Sequence, residues 1–156
     1  MTNSVFIIAE LGSTWEQHLD TALRMIRAAA SAGANAVKTQ WTSNPVRMAA
    51  RRNAPELAEQ YRVLAWPAEW HAVLAEECRA TGVEYMNTVY LPEDIAVIAP
   101  HVQRFKVSSF EAHDWELIRV ITLVGKPIIV SAGMQDEGAA PIPMDCLLYT
   151  SPSPRD

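Results

Sequence analysis

Hydrophobic and polar positions fall into alternating blocks along this chain, with two periods. Short unbroken apolar runs, such as Val5-Phe6-Ile7-Ile8-Ala9, fit strands buried on both faces. Between them apolar residues recur at helical spacing. Leu19, Leu23, Ile26 and Ala30 make one such face, and Gly33 ends it. The pattern predicts strands at 5–10, 34–40, 83–90, 104–111 and 126–134. It predicts helices over 19–33, 66–82, 91–100 and 113–125, with Pro67 near the first turn of the second and Asp114 near the start of the last. A polar loop carrying Arg47, Arg51, Arg52 and Asn53 follows the second strand.

This β-then-α alternation predicts an α/β fold with a parallel sheet and right-handed crossovers. Two architectures compete, an open doubly wound sheet and a (β/α)8 barrel. The first βα turn, "ELGSTWEQ", lacks the glycine fingerprint of a dinucleotide fold. A closed barrel takes eight units and typically about 250 residues. This chain has 156 residues and five strands in the pattern.

The strand ends are polar in every unit. They give Glu10; Lys38, Thr39 and Gln40; Asn87 and Thr88; Lys106, Ser108 and Ser109, with Glu111 just beyond; and Ser131. In a barrel those ends form the active-site face. Lysines with serines suit a phosphate or carboxylate by charge and hydrogen bonding. Two carboxylates suit proton transfer. Any α/β protein needs polar groups where strands emerge, but lysine is rarely placed inside without a partner.

Composition narrows the classes. Hydrophobic residues make up 49% and charged residues 20%, as in ordinary globular domains. The net charge of −5 supplies no basic footprint, so neither nucleic acid nor a membrane surface is expected as a partner. No apolar stretch nears the roughly 20 residues that span a bilayer, and "MTNSVFII" has no signal-peptide pattern. Cys78 and Cys146 make no disulfide framework, so a cytoplasmic setting is expected. Cys78 reads as a small buried hydrophobe. The five tryptophans read as packing, and His18, His71, His101 and His113 as surface or helix-end residues.

The segments "IIAELG", "AGANAVKTQ", "WPAEWH…LAEECRATGVEYMNT", "FKVSSFE" and "GKPIIVSAGM" together resemble the sialic acid (N-acetylneuraminate) synthase family, with its pseudaminate, legionaminate and spore-coat relatives. The resemblance runs from about Val5 to Met134. It implies the N-terminal five βα units of a TIM (β/α)8 barrel, truncated. It implies condensation of phosphoenolpyruvate with an N-acylated hexosamine, with loss of phosphate. It further implies a divalent metal, Mn2+ or Mg2+, whose histidine ligands sit on later strands and are missing here, and a homodimer at full length. Lys38, Lys106, Ser109 and Ser131 match positions that hold the phosphate or carboxylate. Glu10 and Glu111 match the carboxylates near the reacting carbons, and Gln40 and Asn53 match the sugar side. Where the family pattern reads Gly-x-Asn-His, this chain has Gly12-Ser13-Thr14-Trp15, which points to a divergent member with another sugar.

The ending "CLLYTSPSPRD" breaks the alternation and reads as the translation of a sequencing adapter. Residues 1–145 are therefore expected to be a partial barrel, poorly stable and inactive alone, and 146–156 a non-native, disordered tail. Three other readings stay open. These are a different phosphoenolpyruvate-dependent aldol synthase of the octulosonate or heptulosonate phosphate type, a Schiff-base aldolase using Lys38 or Lys106, and a non-catalytic sugar-binding barrel.

Overall fold

The computed structural model describes residues 5–131, 133 and 149–151. Six strands, β1 (Ile8–Gly12), β2 (Ala36–Gln40), β3 (Glu84–Val89), β4 (Phe105–Val107), β5 (Ile128–Ser131) and β6 (Tyr149–Ser151), form one sheet. Every pairing is parallel and every strand lies beside its neighbours in sequence. That order decides between the two expected architectures. A doubly wound sheet reverses its strand order at a switch point, whereas a barrel wall adds strands in one direction. Tyr149–Ser151 lie in the segment expected to be disordered, yet they pair with β5. The rest of that tail and Cys146 lie outside the described residues.

Among the described residues five helices lie in the connections: α1 (Leu19–Ser31), α2 (Pro45–Arg51), α3 (Trp70–Thr81), α4 (Ile95–Ile98) and α5 (Trp115–Leu123). The predicted face of α1 holds, with Ile26 buried and Leu19, Leu23 and Ala30 packed on the core. α3 begins at Trp70 rather than near Pro67 and ends on Gly82, whose φ of +77° closes the helix in the left-handed region. Arg27 on α1 donates to Glu77 on α3 at 2.7 and 3.1 Å, tying the two helices together. Asp114 caps α5, accepting from the Leu117 amide at 3.1 Å.

α2 is the element the pattern misses. Its seven residues are too few for a clear period, and Pro45 looks like a loop residue. Yet Pro45 occupies the first turn, and Asn44 accepts from the Arg47 amide at 2.9 Å as an N-cap.

The alternation of side chains divides the sheet into two faces. Val37, Tyr85, Val89, Phe105, Val107, Ile128 and Val130 face the helices and form the main core. Ile8, Ala36, Met86 and Ile129 form a smaller cluster on the opposite face, inside the curve of the wall. At its lower end Arg104 donates to Glu84 at 2.6 and 3.0 Å and lies over the Phe6 ring.

Candidate active site

Lys38, Thr88, Lys106 and Ser131 share the inner face with that cluster, nearer the C-terminal ends of their strands. Register places Glu10 beside Lys38, and Thr88 beside Lys106. The Lys38 ammonium pairs with the Glu10 carboxylate and donates to Thr88 Oγ1 at 2.9 Å. This explains why a strand so apolar ends on Glu10. Its side chain is 49% exposed and serves as counter-ion to a lysine that is only 10% exposed. Gly12 follows at a φ of +54°, and a Cβ there would meet Glu10 Oε1 at 3.3 Å and the Gln40 amide at 3.9 Å. Glu10 and Gln40 thus flank one glycine.

Lys106 is held differently. It donates to the Val107 carbonyl at 2.7 Å and to the Ser131 hydroxyl, both neutral acceptors. Burial, followed by the charge of Lys38, pushes its pKa down to about 8, and the more weakly felt Glu10 and Glu111 only partly oppose this.

Glu111 opens a short turn after β4 and is 5% exposed. Arg52, at the end of α2, donates Nε to its Oε1 at 2.6 Å and brings Nη2 to 2.5 Å of the same oxygen. Ser108 Oγ bonds the other oxygen. The Arg52 guanidinium also lies 4.9–5.2 Å from the rings of Phe110, Tyr61 and Tyr90, and donates to the Tyr61 hydroxyl at 3.1 Å. A cavity of about 330 Å³ opens beside the pair, lined by residues including Arg51, Tyr90, Phe110 and Asp114. Arg51 donates to Asp114 at 2.5 Å and to Glu116 at 2.9 Å, joining α2 to the start of α5.

The expected site residues thus divide. Glu10, Lys38 and Gln40 meet at the β1 and β2 ends, and Lys106 meets Ser131. Ser109 is half-buried in the loop after β4, next to the serine that holds Glu111. Asn53 is exposed at a φ of +53° just past α2. Its neighbour Arg52, not Asn53, reaches Glu111. Two adjacent arginines in a supposed loop were the available signal, but only the helix shows which way they point. Thr39 and Asn87, counted among the strand ends, face the helices instead. Asn87 donates to Thr39 at 2.6 Å, and Thr39 meets the Tyr85 hydroxyl at 2.9 Å.

Two further expectations need correction. His71, expected at a surface or helix end, stands in the first turn of α3 but is fully buried, with Nδ1 2.9 Å from the Tyr85 hydroxyl. Trp115, read as packing, is 53% exposed. The other four tryptophans do pack together, with ring centroids 5.3–6.4 Å apart. Trp15, where the family pattern carries histidine, is one of them, 1% exposed and bonded to the Gly12 carbonyl at 3.1 Å. Cys78 is buried, and burial pushes its thiol up to about 12.

A model of the NeuB family matches residues 25–147. The chain belongs to the NeuB family. Pseudaminic acid synthase of Campylobacter jejuni is 32% identical over 145 residues, covering 85% of this NeuB chain and 42% of the relative. N,N'-diacetyllegionaminic acid synthase of Legionella pneumophila is 32% identical over 143 residues, with 84% and 40% covered. In structure, the N-acetylneuraminic acid synthetase of Leptospira borgpetersenii, crystallised with citrate, matches with a TM-score of 0.76 and 26% identity, with 86% and 46% covered. The NeuB chain therefore spans about two-fifths of the length of these curated relatives, and β1 to β5 are the N-terminal portion of a TIM-barrel wall. Family members are phosphoenolpyruvate-utilising synthases, metal-dependent in general. Among the described residues no three His, Cys, Asp or Glu side chains gather to hold a metal ion. Glu10 and Glu111 are each engaged by a cation of the chain itself. The described residues alone do not make such a centre. Among them, too, no helix is long and apolar enough to cross a membrane.

Proposed function

We propose that this chain carries the phosphoenolpyruvate side of a nonulosonic acid synthase site. The enol carbon of phosphoenolpyruvate joins the aldehyde carbon of an N-acylated hexosamine. Water adds at C2 and phosphate leaves, giving an N-acylated nonulosonic acid. The observation that carries the reading is the pair Lys38 and Lys106 on the inner face, with Thr88 between them and Ser131 beside the second. Among the described residues Lys106 meets only neutral partners, so an incoming dianion supplies the counter-charge that burial denies it. Ser109 and Ser131 would add hydroxyl donors, Glu10 would stand near the reacting carbons, and Gln40 and Asn53 are assigned to the sugar side. Glu111 is held by Arg52 and Ser108, and its assigned role is a carboxylate that stabilises the positive charge developing at C2.

Calorimetric titration of the chain with phosphoenolpyruvate tests this. One binding event is expected, weakened about tenfold to a hundredfold by Lys38→Met or by Lys106→Met. Absence of binding by the folded wild-type chain, or binding of an N-acylated hexosamine but not of phosphoenolpyruvate, overturns the reading in favour of a sugar-binding barrel.

A further inference from the structure

The chain has three lysines, and the structure treats them unlike one another. Lys126 donates to the Ala99 and Val102 carbonyls at 2.5 and 2.6 Å, which satisfies an ammonium at the far end of β5. Lys38 has the Glu10 carboxylate. Lys106 lies on the same inner face as Lys38 and, among the described residues, has no carboxylate within 4.0 Å. We propose that Lys106 is a reversible covalent site for small α-keto acids, its ε-amine forming an imine with the keto carbon while Lys38 pairs with the carboxylate. This rests on the reading of Lys38 and Lys106 as an anion site, and adds a reaction to it.

The geometry supplies the parts. A desolvated amine near a second cation is the usual arrangement for an imine-forming lysine. Burial and Lys38 lower the Lys106 pKa to about 8, Glu10 and Glu111 being the charges that act in the other direction. At pH 7.5 about a quarter of it is then free amine, over a hundredfold more than at an ordinary lysine. The nitrogen lone pair forms the C–N bond as the carbonyl electron pair moves to oxygen. Ser131 Oγ, in hydrogen-bond contact with Nζ, relays the nitrogen's proton to that oxygen. The carbinolamine then loses water to give C=N. Amine and ketone yield imine and water, with no oxidant or reductant needed. Hydrolysis reverses it. Cys78 does not compete, because it is fully buried and its pKa is raised.

The test is incubation of the chain with pyruvate and cyanoborohydride, followed by intact mass and peptide mapping. Hydride from the reagent adds to the imine carbon and fixes the adduct. One adduct on Lys106 is expected. Its yield should rise several-fold from pH 6.5 to 8.5, vanish in Lys106→Arg and persist in Lys126→Arg. No adduct, or labelling confined to Lys126 or the terminal amine, overturns the proposal, and the wild-type map decides this even if a variant fails to fold. Phosphoenolpyruvate titrated in parallel separates the two readings. If it binds and no adduct forms, the imine proposal alone fails. If the adduct forms and phosphoenolpyruvate neither binds nor protects, the functional reading alone fails.

Discussion

His71 is the residue that most links local burial to the behaviour of the chain. Its imidazole touches Trp41 and Trp66 at centroid distances of 4.9 and 4.5 Å and stacks on His101 at 6.0 Å. Burial, then the charge of His101, pushes its pKa down to about 3. The folded value lies below the unfolded value of about 6.5, so the unfolded chain takes up the proton first. Stability from this group is full above pH 6.5 and is lost as pH falls toward 3, at about 1.4 kcal/mol per pH unit. Denaturant unfolding between pH 6.5 and 4.5 should show that slope, and His71→Phe should flatten it by about one proton. Lys106 makes a second prediction at this scale. Phosphoenolpyruvate affinity should fall as pH rises through about 8, by up to tenfold per unit, and Lys106→Arg should remove the fall when followed by calorimetry. That Glu10, Lys38 and Lys106 share one end of the sheet was legible in the sequence, because strand ends are read by position. The burial of His71 was not, because a polar residue in a helical period looks solvent-facing until its partner, Tyr85, is placed beneath it.

At the scale of elements, α2 is the piece that sequence pattern could not resolve and the site most depends on. Its cap holds the first turn, and its last residue and the next bring Arg51 and Arg52 to the turn and helix after β4. Asn44→Ala should cost about 1 kcal/mol in thermal or denaturant unfolding. Arg52→Met strands a buried carboxylate and should cost about 3 kcal/mol. Adding Glu111→Gln should recover much of that loss, so a double-mutant cycle over the two positions should show strong coupling. Additive costs would mean that Arg52 acts by packing on Tyr61, Tyr90 and Phe110 alone. The longer elements were readable because α1, α3 and β3 carry a full period. The β4 strand was expected over 104–111 but spans only Phe105–Val107, because Ser108 and Glu111 turn toward each other and end the ladder.

For the whole molecule, the strand order decides both architecture and solution behaviour. β1 pairs with β2 on one side, and among the described residues nothing pairs with its other edge. Val5, Phe6 and Ile7 lead into that edge 79%, 46% and 53% exposed. An apolar open edge is a template for association. Sedimentation should show the chain associating as concentration rises, and Ile7→Lys should move the onset several-fold higher. The sequence carried the alternation of units, but not the direction in which successive strands add, because both architectures use the same βαβ unit. The indole cluster under the first strands has a consequence of another kind. Trp15, Trp41, Trp66 and Trp70 form one cluster, with Trp41 and Trp66 against the His71 ring, while Trp115 on α5 is 53% exposed and, among the described residues, lies outside that cluster. Light absorbed by the four is expected to be shared among them, and Trp15, Trp41 and Trp66, only 1–4% exposed, should emit at short wavelength because little water reaches them. The fifth emits at longer wavelength, separately. Ultraviolet light therefore sees this chain as two lamps, one beneath the N-terminal strands and one at the entrance to α5, so selective excitation at the red edge would time the loss of one half of the wall against the other.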